Sequence, residues 1–445
     1  MAMKSAKIRL LKKLLQGGSQ HQIINAIEKL HPADVAQLFT GLDEIEMKRL
    51  VDSLFEIKKA GHVLGELPEH FLPQILEMVD RDRLVATISR QDTDDAVYLL
   101  SRLPEEKWSE ILQKLPLDKQ ANLEKLLVYP KESAGSVMSL NFFAIDVEDT
   151  VETAMKKLRE HPEKESIFYL YVLEGKRLVG VLPLRSLVMG APSTPVKEFM
   201  KTSVKTVLAT DDQETAAKLV SQYNLLAIPI VNQNQELLGV ITVDDVIDIF
   251  QEEATEDIYH MAGLSGEDRA FTPVATKVKK RLPWMFINLG TALLVAFIIG
   301  LFETTIQKSA LLAAFMTIVA SMGGNGAIQS LVVITRSIAL GELQFSKAYT
   351  AILKEISNGL IIGVIAGLVA GGVAYFYVGN VYFGVILFIA MAINMGVAGL
   401  GGAIVPLFFK WVRLDPAVGS GVVVTTLTDV TGFFVFLGLA QLYLV

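Results

Sequence analysis

The apolar positions of this chain follow three different periods. Between residues 20 and about 130 they recur at helical spacing in short runs that Pro and Gly interrupt, as in HPADVAQLFTGL, LPEHFLPQILEMV and DTDDAVYLLSRLPEEKWSEILQKL. Asp or Pro stands at several of the starts, where caps belong, so the pattern predicts a stack of short helical hairpins. LHPADVAQLFTGL and QDTDDAVYLLSRL are loosely alike, as copies of a degenerate internal repeat would be. From about 136 to 250, two strand-like runs each turn into a helix, KRLVGVLPLRSLV and ELLGVITVDDVID. The stretch DDVIDIFQEEATEDIYH, from Asp244 to His260, is helical in pattern and acidic. Beyond it come five long apolar stretches, at about 282–302, 310–340, 356–378, 381–409 and 416–445. Each can cross a hydrocarbon layer of roughly 30 Å.

Two of these stretches are rich in glycine. The second contains SMGGNGAIQS, where Gly323, Gly324 and Gly326 weaken the helix and Asn325 and Gln329 add amides; unwound backbone lining a cavity is expected there. The fourth contains NMGVAGLGGAIVP, whose glycines read as close helix packing. The fifth, DPAVGSGVVVTTLTDVTG, holds an acid, Asp429, inside a membrane helix. A charge at that depth costs about 3 kcal/mol even on lenient scales, so such residues usually face a bundle interior or an ion path. Pro416 at the first helical position with Asp415 as N-cap predicts a helix in which Asp429 stands roughly 20 Å up, near mid-membrane. Helical spacing aligns Gly421, Thr425, Thr428, Asp429 and Gly432 in one small, polar stripe, expected to face something wet.

Charge sharpens this division. From Leu282 to the end there are five acids (Glu303, Glu342, Glu355, Asp415, Asp429) and six bases, so the preceding part carries a net charge of about −8 and gives no reason to expect nucleic acid. The basic, amphipathic start MAMKSAKIRLLKKLLQ is too short and too charged for a secretory signal and is expected to stay in the cytoplasm. With the soluble part inside, an odd number of spans puts the C-terminus outside. Nine bases then lie near inner ends (Lys277, Lys279, Lys280, Arg281, Arg336, Lys347, Lys354, Lys410 and Arg413) and only Lys308 in an outer loop, as the positive-inside rule requires. There are no cysteines, and the six histidines form no zinc-type pair, so any metal is met with oxygen.

VMSLNFFAIDVEDTVETAMKKL, from Val137, matches FMKTSVKTVLATDDQETAAKLV, from Phe199, in register: Met138 over Met200, Asp149 over Asp211, Ala154 over Ala216. The two copies resemble a tandem pair of CBS domains. Such pairs commonly hold adenine nucleotides through a Thr or Ser and an Asp after the last strand, a pattern that Thr242 and Asp245 fit. The first copy has Pro183 and Ser186 there. A plain helix cap at Thr242 and Asp245, with no ligand, is the alternative. Two acidic groups are likewise open to two readings. Asp92, Asp94 and Asp95 are a cation cluster or merely acids favourable to a helix start. Glu253, Glu256, Asp257 and His260 share one helix face, where like charges repel by a few tenths of a kcal/mol per pair; that face is either solvated or held for divalent cations.

Taken together, the helical N-domain, the CBS-like pair, the acidic connecting helix and the five spans with MGGNGAIQS, NMGVAGLGGAIVP and DPAVGSGVVVTTLTDVTG resemble the MgtE family of magnesium channels over essentially the whole chain. The resemblance implies a multidomain membrane protein: an all-α superhelical N-domain (1–133), an α/β tandem CBS pair (134–250), a connecting helix (251–281) and an all-α five-helix transmembrane domain (282–445). It implies a homodimer in the cell membrane, not an enzyme, with a pore along the dimer axis lined by the second and fifth spans and hydrated Mg²⁺ held at Asp429. Cytosolic Mg²⁺ would close the pore through Asp245, Asp248, Glu253, Glu256 and Asp257, with Asp415 at the inner mouth and Asp92 and Asp95 in the N-domain. Gly323, Asn325 and Thr425 would add oxygens to the path, which suits an ion that keeps several of its waters. ATP is the implied nucleotide. Oxygen ligands alone do not exclude Mn²⁺, Co²⁺ or Ca²⁺. A membrane-anchored nucleotide sensor is a further reading, against which Asp429 argues, since an anchor gains nothing from a mid-membrane acid. No nucleophile with a nearby base or phosphate-binding loop supports a membrane enzyme.

Overall fold

The computed structural model describes residues 11–68, 71–161, 168–264, 268, 272–343 and 345–444. The first ten residues of the basic start lie outside the described residues. The chain divides into two compact units, Met1–Gln251 and Glu252–Val445.

The first unit begins with short helices, among them Gln20–Ile27, Pro32–Ala36, Glu44–Glu56, Arg81–Ile88, Thr93–Ser101 and Leu117–Leu127. Their starts follow from local chemistry. Ser19 with Gln22 and Asp43 with Glu46 form reciprocal capping boxes, each satisfying two orphan N–H groups for about 1 kcal/mol. Pro32 sits in the first turn of its helix, where its missing N–H costs nothing.

Next come two three-stranded sheets with the same topology. Strands β1 (Phe143–Asp146), β2 (Tyr169–Glu174) and β3 (Arg177–Pro183) form one; β4 (Val207–Leu208), β5 (Ala227–Val231) and β6 (Leu237–Thr242) form the other. In each, the first pair is parallel and the second antiparallel with a register shift near its far end. The matched residues of the repeat have matched jobs. Asp149 accepts the Asp146 N–H and Asp211 the Leu208 N–H, closing the same turn twice. Ala154 and Ala216 are both fully buried. The two copies also exchange arms: Ser139 bridges Val240 of β6, and Lys201 bridges Val181 of β3. This reciprocity is the fold of a CBS pair, and it sets Ser139, from the lead-in to the first copy, against the last strand of the second.

Among the described residues of the second unit five helices are long and apolar enough to cross a membrane: Val274–Gly300, Leu311–Ala339, Ala348–Val378, Val381–Trp411 and Ser420–Tyr443. The fourth span is the most buried and packs against the second, third and fifth. Two expectations are corrected here. The second span is a continuous helix, with no unwound segment at its glycines, because those glycines admit neighbouring helices rather than expose backbone. The fifth span starts at Ser420, not Pro416. Asp415 caps only a turn, accepting the Ala417 N–H, and Gly419, at φ 65°, then redirects the chain where a Cβ would run into the Trp284 ring.

Candidate functional site

Asp429 lies nine residues above Ser420, roughly 14 Å along the fifth span. It is half-buried, and among the described residues no hydrogen bond or ion pair engages its carboxylate. The polar stripe of this helix divides in two. Thr428 and Gly432 are buried against other spans, whereas Gly421, Thr425 and Asp429 keep part of their surface. The Thr425 hydroxyl donates back to the Gly421 carbonyl at 2.9 Å, which leaves its lone pairs available.

The buried half of the stripe is organised by Asn394 of the fourth span, a residue for which the sequence offered only its place beside a glycine run. Its amide donates to the Val319 carbonyl at 2.9 Å, and its Oδ1 is buried without a hydrogen-bond partner. A Cβ on Gly323 or on Gly432 would collide with this amide. Gly323 is therefore buried in a three-helix contact, while Asn325, two residues on, is exposed on the unit's surface. Gly324 stands beside Thr425.

At the start of the fifth span the connecting helix Val243–Met261 comes into contact with the membrane helices. His260 Nδ1 is 2.8 Å from Asp415 Oδ2, His260 Nε2 is 3.5 Å from Glu256, and the Gly419 N–H donates to the His260 carbonyl. The Asp415 hydrogen bond holds the His260 ring above its ordinary range. Burial opposes the charge of Asp415, but the ring and the Ala417 N–H together keep its carboxyl below the usual range. Glu253, Glu256 and Asp257 are half-buried on the same helix.

In the first unit Asp245 joins the cluster of Asp92, Asp94 and Asp95 that the sequence indicated. Asp94 accepts the Ser139 hydroxyl at 3.3 Å, and the Asn141 amide stands 3.5 Å from Asp92. Asp245 accepts both the N–H and the hydroxyl of Thr242, at 3.1 and 2.6 Å, so the capping geometry is present. Burial, then the charge of Asp95, pushes Asp94 up to about 6. Burial, against the help of Thr242 and reinforced by the charge of Asp94, pushes Asp245 up to about 7. Four acids of the N-domain and the CBS pair thus repel one another, with Lys119 bound to the Gln91 carbonyl alongside. Asp248 is exposed one turn further on. Among the described residues no three acids or histidines converge closely enough to ligate one ion directly.

Five spans, the last bearing a carboxylate that no described residue engages, and a CBS pair in the same chain define a multi-pass membrane protein of ion-handling design. Comparison with known proteins names the family. Residues 316–439 match the model of MgtE, a divalent cation transporter; residues 30–132 match the MgtE intracellular N domain; and 134–191 and 196–252 each match a CBS domain. The magnesium transporter MgtE of Bacillus subtilis (strain 168) is 32% identical over 434 residues, 97% of this chain and 96% of that one. That of Thermus thermophilus is 30% identical, covering 98% of each. A crystal structure of the cytosolic domain of the Mg²⁺ channel MgtE in complex with ATP aligns with a TM-score of 0.51 at 30% identity, covering 54% of this chain and 98% of that one. The chain belongs to the MgtE family.

Proposed function

We propose that this protein is a magnesium channel of the cell membrane, working as a homodimer whose pore is lined by the second and fifth spans of both copies. The observation that carries this reading is Asp429: an acid in a membrane helix, half-buried and, among the described residues, without a hydrogen-bond or ion-pair partner. Its cost of about 3 kcal/mol is offset if a cation passes it. Mg²⁺ dehydrates reluctantly, so Asp429 engages the ion through its water shell, with Thr425 and Asn325 contributing oxygens. The absence of a three-ligand cage among the described residues is compatible with such outer contacts.

Closure follows from the repelling acids. Asp92, Asp95, Asp245 and Asp248 in the first unit, and separately Glu253, Glu256, Asp257 and Asp415 in the second, crowd like charges whose repulsion Mg²⁺ would relieve. The His260–Asp415 contact ties the connecting helix to the turn that leads into the fifth span, giving the sensor a mechanical hold on the pore helix. Adenine nucleotide, ATP in the first instance, binds at Thr242 and Asp245 by sharing the cap. The N-terminal part lies in the cytoplasm and the C-terminus outside, following the charge bias of the span ends. Passage of Mn²⁺, Co²⁺ or Ca²⁺ is the second reading, since oxygen ligands do not separate these ions by softness.

Purified protein in liposomes should take up Mg²⁺ in preference to the other three. Loss of the Asp429 charge in Asp429→Ala should slow uptake about a hundredfold, the equivalent of about 3 kcal/mol, with folding and dimerisation unchanged. Wild-type flux and selectivity in that variant would remove the reading at its centre.

A further inference from the structure

A second acid lies inside the membrane unit, away from Asp429. Glu355 belongs to the third span, seven residues from its start at Ala348, or roughly 10 Å along the helix. It opens onto a cavity of about 210 Å³ among the second, third and fourth spans, lined by Gly326, Gln329, Ser330, Asn358 and Met395 among others. Neither Asp429 nor any other residue of the fifth span lines it.

The Ser330 hydroxyl, itself buried, donates to Glu355 Oε2 at 2.7 Å. Among the described residues no base pairs with Glu355, and no protein hydrogen bond engages the side-chain amides of Gln329 and Asn358. A simple interhelical clamp would need the Ser330–Glu355 bond and nothing more. The third and fourth spans are already locked at this level, where a Cβ on Gly359 would strike the Met395 carbonyl and one on Gly399 the Glu355 carbonyl. Gln329 and Asn358 are exposed at the unit's surface and Glu355 is half-buried, and Glu355 stands beside Lys354 just ahead of the apolar stretch 356–378. The cavity therefore opens at the surface near a span end, where water reaches it. One carboxylate, one hydroxyl and two amide oxygens around water form the donor set of an ion that keeps its own shell and needs one or two carboxylates.

We propose that the Glu355 cavity is a second cation station, where Gln329, Ser330, Glu355 and Asn358 hold a hydrated divalent cation off the Asp429 position. Gln329 shares a face of the second span with Asn325, one turn away, so the station adjoins the proposed path. The inference rests on the reading that this chain handles Mg²⁺, and its test is separable from flux.

The chain contains no cysteine, so single reporters can be placed in the cavity wall, at Ile362→Cys and, as a second position, Val333→Cys, both apolar lining residues. The full-length variants, in liposomes, are treated with a water-soluble methanethiosulfonate reagent while Mg²⁺ is varied and Mg²⁺ flux is followed in the same vesicles. The reporters should label readily without Mg²⁺, and about tenfold more slowly when Mg²⁺ is about ten times its dissociation constant. In the Glu355→Gln background, which keeps a hydrogen bond to Ser330, Mg²⁺ should no longer protect. Three outcomes overturn the proposal: reporters that never label, labelling that Mg²⁺ does not slow while flux proceeds, or equal protection with Glu355→Gln. Protection that depends on Glu355 in vesicles without flux would uphold the station and sink the channel reading instead.

Discussion

Asn394 sits where the second, fourth and fifth spans meet. It is 1% exposed, reaches the second span through the Val319 carbonyl, and faces Gly323 and Gly432 on either side. Those two glycines exist, in packing terms, to make room for its amide. Polar contacts between membrane helices contribute modestly, so Asn394→Ala should destabilise the protein by about 1–2 kcal/mol, measured by denaturant unfolding in micelles. The same change should slow Mg²⁺ flux, because the space it opens frees the helix segment bearing Thr428 and Asp429. Full stability and flux would show that the fifth span is positioned by other contacts.

Among the elements, the third and fourth spans form the tightest pair. Gly359, Gly363, Gly367 and Gly371 recur every fourth residue and are all buried, so one small-residue seam lets the two backbones approach. Gly399→Leu places a side chain against the Glu355 carbonyl and should cost about 3 kcal/mol or prevent folding, as overpacking does. Gly372 lies on the same helix with open space at its Cβ position, so Gly372→Ala should leave stability unchanged or raise it by up to about 1 kcal/mol. Detergent stability of the two variants, side by side, tests whether the seam or glycine content as such matters. The contrast also explains why the glycine-rich second span stays helical: a glycine met by a neighbouring helix has its backbone hydrogen bonds shielded, and there is no gain in unwinding them.

At the scale of the whole molecule, the proposed gating would depend on many weak contacts acting together. A ligand that favours one state stabilises it by RT ln(1 + [L]/Kd) per site, so several weak sites supply the roughly 5.5 kcal/mol that moves an equilibrium from mostly open to mostly closed. Replacing Glu253, Glu256 and Asp257 together by Ala should leave a channel that conducts but no longer closes as Mg²⁺ rises on the side of the soluble part. Deleting residues 1–130, with Asp92 and Asp95, should weaken closure in the same direction. Patch recordings in which the triple variant closes at the wild-type Mg²⁺ concentration would make that helix face an ordinary solvated one.

The sequence by itself determined the class of fold and the one acid that most needs explaining. Periodicity is a local property, so five apolar runs and a twofold repeat could be read directly, and the repeated Asp149 and Asp211 turned out to close equivalent turns. The cost of a charge in hydrocarbon is likewise indifferent to tertiary detail, which is why Asp429 stood out. What only the tertiary structure decided is which residues meet across long separations. Asn394 and Val319 are 75 positions apart, Glu355 and Ser330 are 25 apart, Ser139 and Asp94 are 45 apart, and His260 and Asp415 are 155 apart. No local pattern marks an amide that will be buried against two glycines, or a glutamate that will line a cavity rather than an interface. The start of the fifth span differs from the sequence pattern for a related reason: Pro416 can begin a helix, but the packing of Trp284 under Gly419 moves the first turn to Ser420. Helix propensity offers a choice of starts within a turn or so, and a neighbouring ring, at van der Waals distance, selects among them.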